Sequence, residues 1–283
     1  MSLIILHSAP PTPTVPSMPT LQACSTRFNK GTNYVVNNAF AMATKPYLAM
    51  YYHPAAFSPV PTTLISAINN GNFSTWPGLT AELISKHLTK SLATAKAHNK
   101  LARQNVRSTR PQEPPVARTK TVQITVVEPS DLLATDITGR FPTISSRGYN
   151  YIIVCYIFDT NGIIVRPMKN RSVAEHIRVY NEIFGYLEKR GLRPAVHKMD
   201  NECPQELKDI IVHQNKNRLE LVPPHDHRTN PAEKCIDTFK CHLISGLSAM
   251  DQNLPLHLWC RILTQCQDTL NMLRTSRSTV MRS

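Results

Sequence analysis

Apolar residues in the second half of the chain recur at two periods, and the switches between them mark out the elements. Tyr149-Asn-Tyr-Ile-Ile-Val-Cys-Tyr-Ile-Phe158 is a β-branched and aromatic run that predicts a buried strand. Asp159-Thr-Asn-Gly162 is a turn sequence, and Ile163-Ile-Val-Arg166 after it completes a hairpin. From Ser172 to Lys189 the period becomes helical, with Val173, Ile177, Tyr180, Phe184 and Leu187 on one face and Gly191 closing the helix. A short strand over 195–199, a helix after Pro204 (Leu207, Ile210, Ile211) and a strand at Leu219-Glu-Leu-Val222 follow. A helix from Asn230 ends near Gly246 or Met250. A last one, from about Pro255, carries Leu258, Ile262, Leu263, Leu270 and Leu273. A hairpin that feeds into β-α units predicts a mixed α/β sheet with helices on its faces.

The first half is patterned differently. Pro10, Pro11, Pro13, Pro16 and Pro19 prevent a helix, so residues 1–45 read as a disordered leader. Residues 46–104 regain helical spacing: Leu64, Ile65, Ala67 and Ile68 end at Asn70-Gly71, and Thr80 is an N-cap candidate for the segment through Leu88. Residues 105–121 form a basic, proline-containing linker, with Arg103 and the cations after it able to track phosphates. Residues 122–283 hold the α/β domain. Within them Val122–Val127 is β-branched and either begins the sheet or leads into it.

Charge narrows the function. The 283 residues include 32 Lys plus Arg against 19 Asp plus Glu, a formal net charge of +13. A surplus of that size favours a polyanionic partner. No apolar run approaches a membrane span, and the opening Met1-Ser-Leu-Ile-Ile-Leu6 is too short for a signal peptide, so we expect an intracellular, non-membrane protein. Seven scattered cysteines without a C-x-x-C pair read as reduced thiols. His53, His87 and His98 have no Cys between Cys24 and Cys155 to complete a local tetrahedral set, which argues against zinc.

Three acids stand out against this background. Asp136 lies inside a strand-like run before Gly139, Asp200 ends the apolar segment Ala195-Val-His-Lys-Met199, and Glu233 opens a helix behind Pro231. Any one alone reads as a cap or a surface ion pair. Placed together, at a strand interior, a strand end and a helix start, they suit Mg²⁺ or Mn²⁺, hard cations held by a few carboxylates and substrate phosphate. Two such ions serve in-line phosphoryl displacement. Lys240, two turns from Glu233 on the same helix face, suits a phosphate. Glu202, His225 and His227 lie nearby in sequence as candidate supporting groups or as ordinary surface residues.

Thr135-Asp-Ile-Thr-Gly-Arg-Phe-Pro142, Ser145-Ser-Arg-Gly148, Met168-Lys-Asn-Arg171, Asp200-Asn-Glu202, Leu221-Val-Pro-Pro224 and Asn230-Pro-Ala-Glu-Lys…Thr238-Phe-Lys240 follow one another in the order of a known family. Together they resemble the integrase core of copia-type retrotransposon polyproteins. Tyr51-Tyr-His-Pro-Ala-Ala56 through Asn99 more weakly resembles the pre-integrase region. The resemblance implies an RNase H-like fold, a D,D,E triad of Asp136, Asp200 and Glu233, and polynucleotidyl transfer (3′-end processing and strand transfer) with a two-metal site. It also implies DNA contacts by Arg140, Lys234, Lys240 and Arg228, element ends and target DNA as partners, a homo-oligomer, and action in the nucleus. The Cys pair of the pre-integrase zinc module is missing, and no reverse transcriptase follows Ser283, so the chain reads as a fragment or degenerate copy, truncated after the core. Two alternatives stay open: a relic that binds nucleic acid without joining it, and an RNase H-like nuclease.

Overall fold

The computed structural model describes residues 39–42, 44–98, 131–200, 203–222 and 230–277. The leader to residue 38, the basic linker and the segment Val122–Val127 lie outside the described residues.

Among the described residues four α-helices come first: α1 (Lys45–Ala55), α2 (Pro61–Asn69), α3 (Ala81–His87) and α4 (Leu92–His98). Their local signals are those of the sequence. Gly71 takes φ +81° just after α2, and the Thr80 hydroxyl accepts from Leu83 N at 3.1 Å to cap α3. Tyr52, Leu64, Phe73 and Ile84 form the core between them. His53 is buried with Nε2 2.8 Å from Pro59 O, a packing role.

Among the described residues five strands follow, β1 (Leu132–Ile137), β2 (Tyr151–Ile157), β3 (Gly162–Met168), β4 (Val196–Asp200) and β5 (Arg218–Val222), in one sheet of order β3-β2-β1-β4-β5. The first three form an antiparallel meander, while β4 runs parallel to β1 and β5 parallel to β4. Helices cover both faces. On one lies α5 (Val173–Glu188), over Leu133, Ile153, Cys155 and Ile164. On the other lie α7 (Pro231–Ala249) and α8 (Leu263–Met272), over Ala134, Ile152, Val154 and Val165. Between β4 and β5 the chain makes α6 (Gln205–Asp209), continued as a π turn over Ile210–Gln214. The architecture is therefore a mixed α/β sheet flanked by helices, with strand alternation sorting each side chain to one helix layer or the other.

Two sequence expectations need correcting. The buried face of α5 is rotated from the one expected: Val173 is 37% exposed, while His176, Val179, Tyr180, Ile183 and Leu187 are buried. The helix serves two clusters at once. Val179, Ile183 and Leu187 meet the sheet, and Tyr180, with Ile177 and Phe184, meets Met199, Leu207 and Ile211. A single apolar stripe is too narrow for both. The last helix also divides into a 3₁₀ segment (Leu256–Arg261) and α8. Trp259 anchors the tighter turn, stacked on Phe141 at 4.4 Å with its indole N–H donating to Thr143 O at 2.8 Å. Six residues are too few for apolar spacing to separate a period of 3.0 from 3.6.

The outer edge of β3 is closed by side chains. Gln267 Oε1 accepts from Val165 N at 3.1 Å, and Asn271 Oδ1 accepts from Ile163 N at 2.8 Å, so α8 supplies the hydrogen bonds that a sixth strand would.

The first four helices lean on α7. Phe57, in left-handed backbone at φ 64°, is fully buried and stacks on His242 of α7 at 5.3 Å. Ser58 O accepts from Ser245 Oγ at 2.7 Å and from Thr94 Oγ1 at 2.8 Å. Gly246 makes the contact possible: a Cβ there would overlap the Phe57 ring, with Cε1 and Cγ only 2.6 Å away. Alanine is favoured over glycine inside a helix by about 1 kcal/mol, but overpacking a rigid core costs about 1–3 kcal/mol or more. We therefore expect Gly246→Ala to destabilise the protein by about 2 kcal/mol in chemical denaturation. Adding Phe57→Ala should make the pair less destabilising than the sum of the two single changes. Additive losses would mean that the ring does not set the requirement for glycine.

Candidate functional site

The parallel pairing of β1 with β4 sets the geometry of the acids. Ala134 faces Lys198, so two residues further on Asp136 comes level with Asp200. Adjacent strands lie about 4.8 Å apart. Alternation then decides the face. Ala134 belongs to the α7 layer and Leu133 to the α5 layer, so Asp136 turns to the α7 side. Met199 packs with Tyr180 of α5, so Asp200 also turns to the α7 side. Both acids are half-buried at the carboxyl ends of parallel strands, where open α/β sheets bind their ligands. Asp136 Oδ1 accepts from Ile137 N at 2.7 Å, which fixes one of its oxygens.

A buried polar pair underlies the acids. Thr135 Oγ1 and His197 Nε2 are 2.9 Å apart and join β1 to β4 one residue below Asp136. His197 is 1% exposed and stacks on Tyr180 at 5.5 Å, while its Nδ1 is buried without a hydrogen-bond partner among the described residues. Burial pushes its pKa down to about 4, so the ring is neutral at pH 7.

The start of α7 is docked onto the same strand. Asn230 caps the helix by accepting from Ala232 N at 3.0 Å, and its amide donates to Thr135 O at 3.2 Å. Pro231 takes the first helical position. These bonds bring the first turn of α7, with Glu233 in it, to the strand that carries Asp136. Glu233 itself is exposed, flanking the buried stripe of Ala232, Ile236 and Phe239. Lys234 is exposed beside it, and Lys240 lies exposed about 10 Å further along the axis, at 1.5 Å per residue. Arg140 is exposed in the loop that follows β1, which Phe141 and Trp259 pin to the 3₁₀ segment. Glu202, His225, His227 and Arg228 lie outside the described residues.

The structure thus brings Asp136 and Asp200 together and tethers the helix of Glu233 to them. Among the described residues no three His, Cys, Asp or Glu side chains are gathered into a metal-holding cluster. The donors at the strand ends are carboxylates, a chemistry that fits a hard divalent cation better than a soft one. Sequence reasoning passed over Thr135, His197 and Asn230. A signal for Asn230 was available: it is an N-cap type directly before Pro231. His197 alternates with Met199 on the inward face of β4, but nothing in the sequence says that its partner is Thr135.

No protein-family model matches the chain, and no curated protein matches it. Among solved structures, it is similar to a chain of the cryo-EM structure of the simian T-cell lymphotropic virus intasome in complex with PP2A regulatory subunit B56 gamma. The identity is 18% and the TM-score 0.39, over 72% of this chain and 66% of that one, which is just under two thirds of its length. An overlap that loose fixes neither family nor activity.

Proposed function

We propose that the protein is the catalytic core of a copia-type retroelement integrase, with an RNase H-like fold, acting on DNA by polynucleotidyl transfer. The observation that carries this reading is that the β1–β4 register, carried on past Ala134 and Lys198, sets Asp136 level with Asp200 at the carboxyl ends of the two strands, on the face covered by α7. An antiparallel meander continued by two parallel strands also supports the fold, and a net charge of +13 supports a nucleic-acid partner.

Asp136 and Asp200 would hold Mg²⁺ or Mn²⁺, with Glu233 completing the set as the first turn of α7 closes on substrate. When bound, such ions polarise the phosphoryl group and lower the pKa of an attacking hydroxyl. The chain's own part is positional. The Thr135–His197 pair keeps β1 and β4 in register, and Asn230 holds the start of α7 against β1. Arg140, Lys234, Lys240 and Arg228 would bind DNA phosphates around the acids.

The test is a joining assay: a labelled duplex with a free 3′-hydroxyl, supercoiled plasmid and Mg²⁺ or Mn²⁺, incubated with the purified chain. The expected result is label covalently joined to plasmid. Nicked plasmid without joining would point to a nuclease, and salt-sensitive binding without either product to a relic. Either outcome would overturn the integrase reading.

A further inference from the structure

A second charged feature lies at the far edge of the sheet. Between β3, the C-terminal half of α5 and the start of α8 is an open cleft of about 340 Å³. Arg147, Arg166, Arg178 and Arg190 line it, against two acids, Glu182 and Asp268. These cations are not equivalent. Arg178 is neutralised, with Nη2 2.6 Å from Glu175 and Nη1 2.6 Å from Glu182. The guanidinium groups of Arg147, Arg166 and Arg190 have no carboxylate partner among the described residues.

Two of these three are held in place by neutral groups. Arg166 donates from Nη1 to Val165 O at 2.7 Å and to Gln267 Oε1 at 3.0 Å, and its guanidinium lies 5.0 Å from the centre of the Tyr186 ring. Gln267 is 2% exposed and fixed by Val165 N, so this side of the cleft is rigid. Arg190 stacks on Tyr186 at 3.5 Å and donates to Tyr186 O at 3.3 Å. The ring and the carbonyls orient the cations and leave their charge uncancelled. Like charges converging on one cleft repel, and an anion in the cleft relieves that repulsion. Arginine's flat fork suits a phosphate.

We infer that the Arg147–Arg166–Arg190 cleft is a phosphodiester-binding subsite for nucleic acid, separate from the carboxylate pair. Val165 pairs with Val154, and Val154 with Asp136, but Arg166 follows Val165 onto the α5 side of β3 whereas the acids face α7, so the cleft is a distinct feature at the outer sheet edge, two strands from β1. The inference shares with the proposed function only the nucleic-acid partner, since it needs no reaction.

The test is fluorescence anisotropy of a labelled 20-base-pair DNA duplex with the full chain over a range of salt concentrations. Arg147→Gln with Arg190→Gln, both exposed positions, is compared with Lys208→Gln plus Arg218→Gln, the same charge loss near the opposite sheet edge. The expected result is that only the cleft variant binds more weakly and loses about one unit from the slope of log K against log salt. The readout is binding alone, so a failed integrase reading would leave this result intact. Equal weakening in both double variants, or none in the cleft variant, would overturn the inference. So would AMP or inorganic phosphate binding lost in the cleft variant while duplex binding is unchanged, because the cleft would then serve a free nucleotide or phosphate.

Discussion

Acidification from pH 7 to pH 4 is expected to remove about 6 kcal/mol of folding stability, in equal parts from two buried histidines. Burial lowers the pKa of His197 to about 4, and burial, helped by the charge of His98, lowers that of His242 to about 4. The unfolded chain has ordinary histidines near pH 6.5. Between 6.5 and 4 the unfolded state therefore binds more protons than the folded one, so stability is full above pH 6.5, falls as the pH drops through this window, and stops falling from this cause below about 4. Each shift is worth roughly 3 kcal/mol at 1.36 kcal/mol per pH unit. His242 Nε2 has a partner in Thr269 Oγ1 at 3.0 Å and His197 Nε2 one in Thr135 Oγ1 at 2.9 Å, whereas His197 Nδ1 has none among the described residues. Urea midpoints at pH 7, 5.5 and 4 measure the loss, and His197→Gln should remove about half of it. A flat profile from pH 6.5 to 4 would mean that water reaches both rings in the folded state.

What the sequence made legible follows from the range of the signals. Local ones carried through: the Thr80 cap, the turn at 159–162 and Gly191, at φ +71°, each act within a few residues. The strand positions of Asp136 and Asp200 could also be read, because an acid at the end of an apolar run stands out. Their alignment could not. It depends on β4 pairing in parallel with β1, and that contact crosses more than sixty residues. The same holds for Phe57 against Gly246, Gln267 on the β3 edge, and Thr135 with His197. In each, a residue with a bland local reading takes its meaning from a distant partner. The face of α5 departs from the one-stripe pattern for a related reason: a helix shared by two clusters buries a broader arc than such a pattern shows.

Asp136→Asn and Asp200→Asn should each lower DNA joining by about 10³-fold in the plasmid assay. A bound cation supplies several kcal/mol of transition-state stabilisation, and each 1.36 kcal/mol is tenfold in rate. Asparagine keeps the size of either side chain and, at position 136, the oxygen that accepts from Ile137 N, so the urea midpoint at pH 7 should move little. The loss would then belong to the chemistry and not to the fold. Because the two acids serve one site, the double variant should be no worse than either single one. Joining within threefold of the parent in both variants would remove the pair from the mechanism, as would a large loss of stability that accounts for the lost activity.

The claim on which the rest depends is that Asp136 and Asp200 form one cation site at the ends of β1 and β4. Electron paramagnetic resonance of Mn²⁺ titrated into the full chain, without DNA, tests it most directly. Free Mn²⁺ gives the signal, so bound ion is read as signal lost. The account predicts saturable binding by the parent chain that either Asp→Asn substitution abolishes and that Lys240→Gln leaves in place. Binding of equal strength in the parent and in both aspartate variants would contradict it.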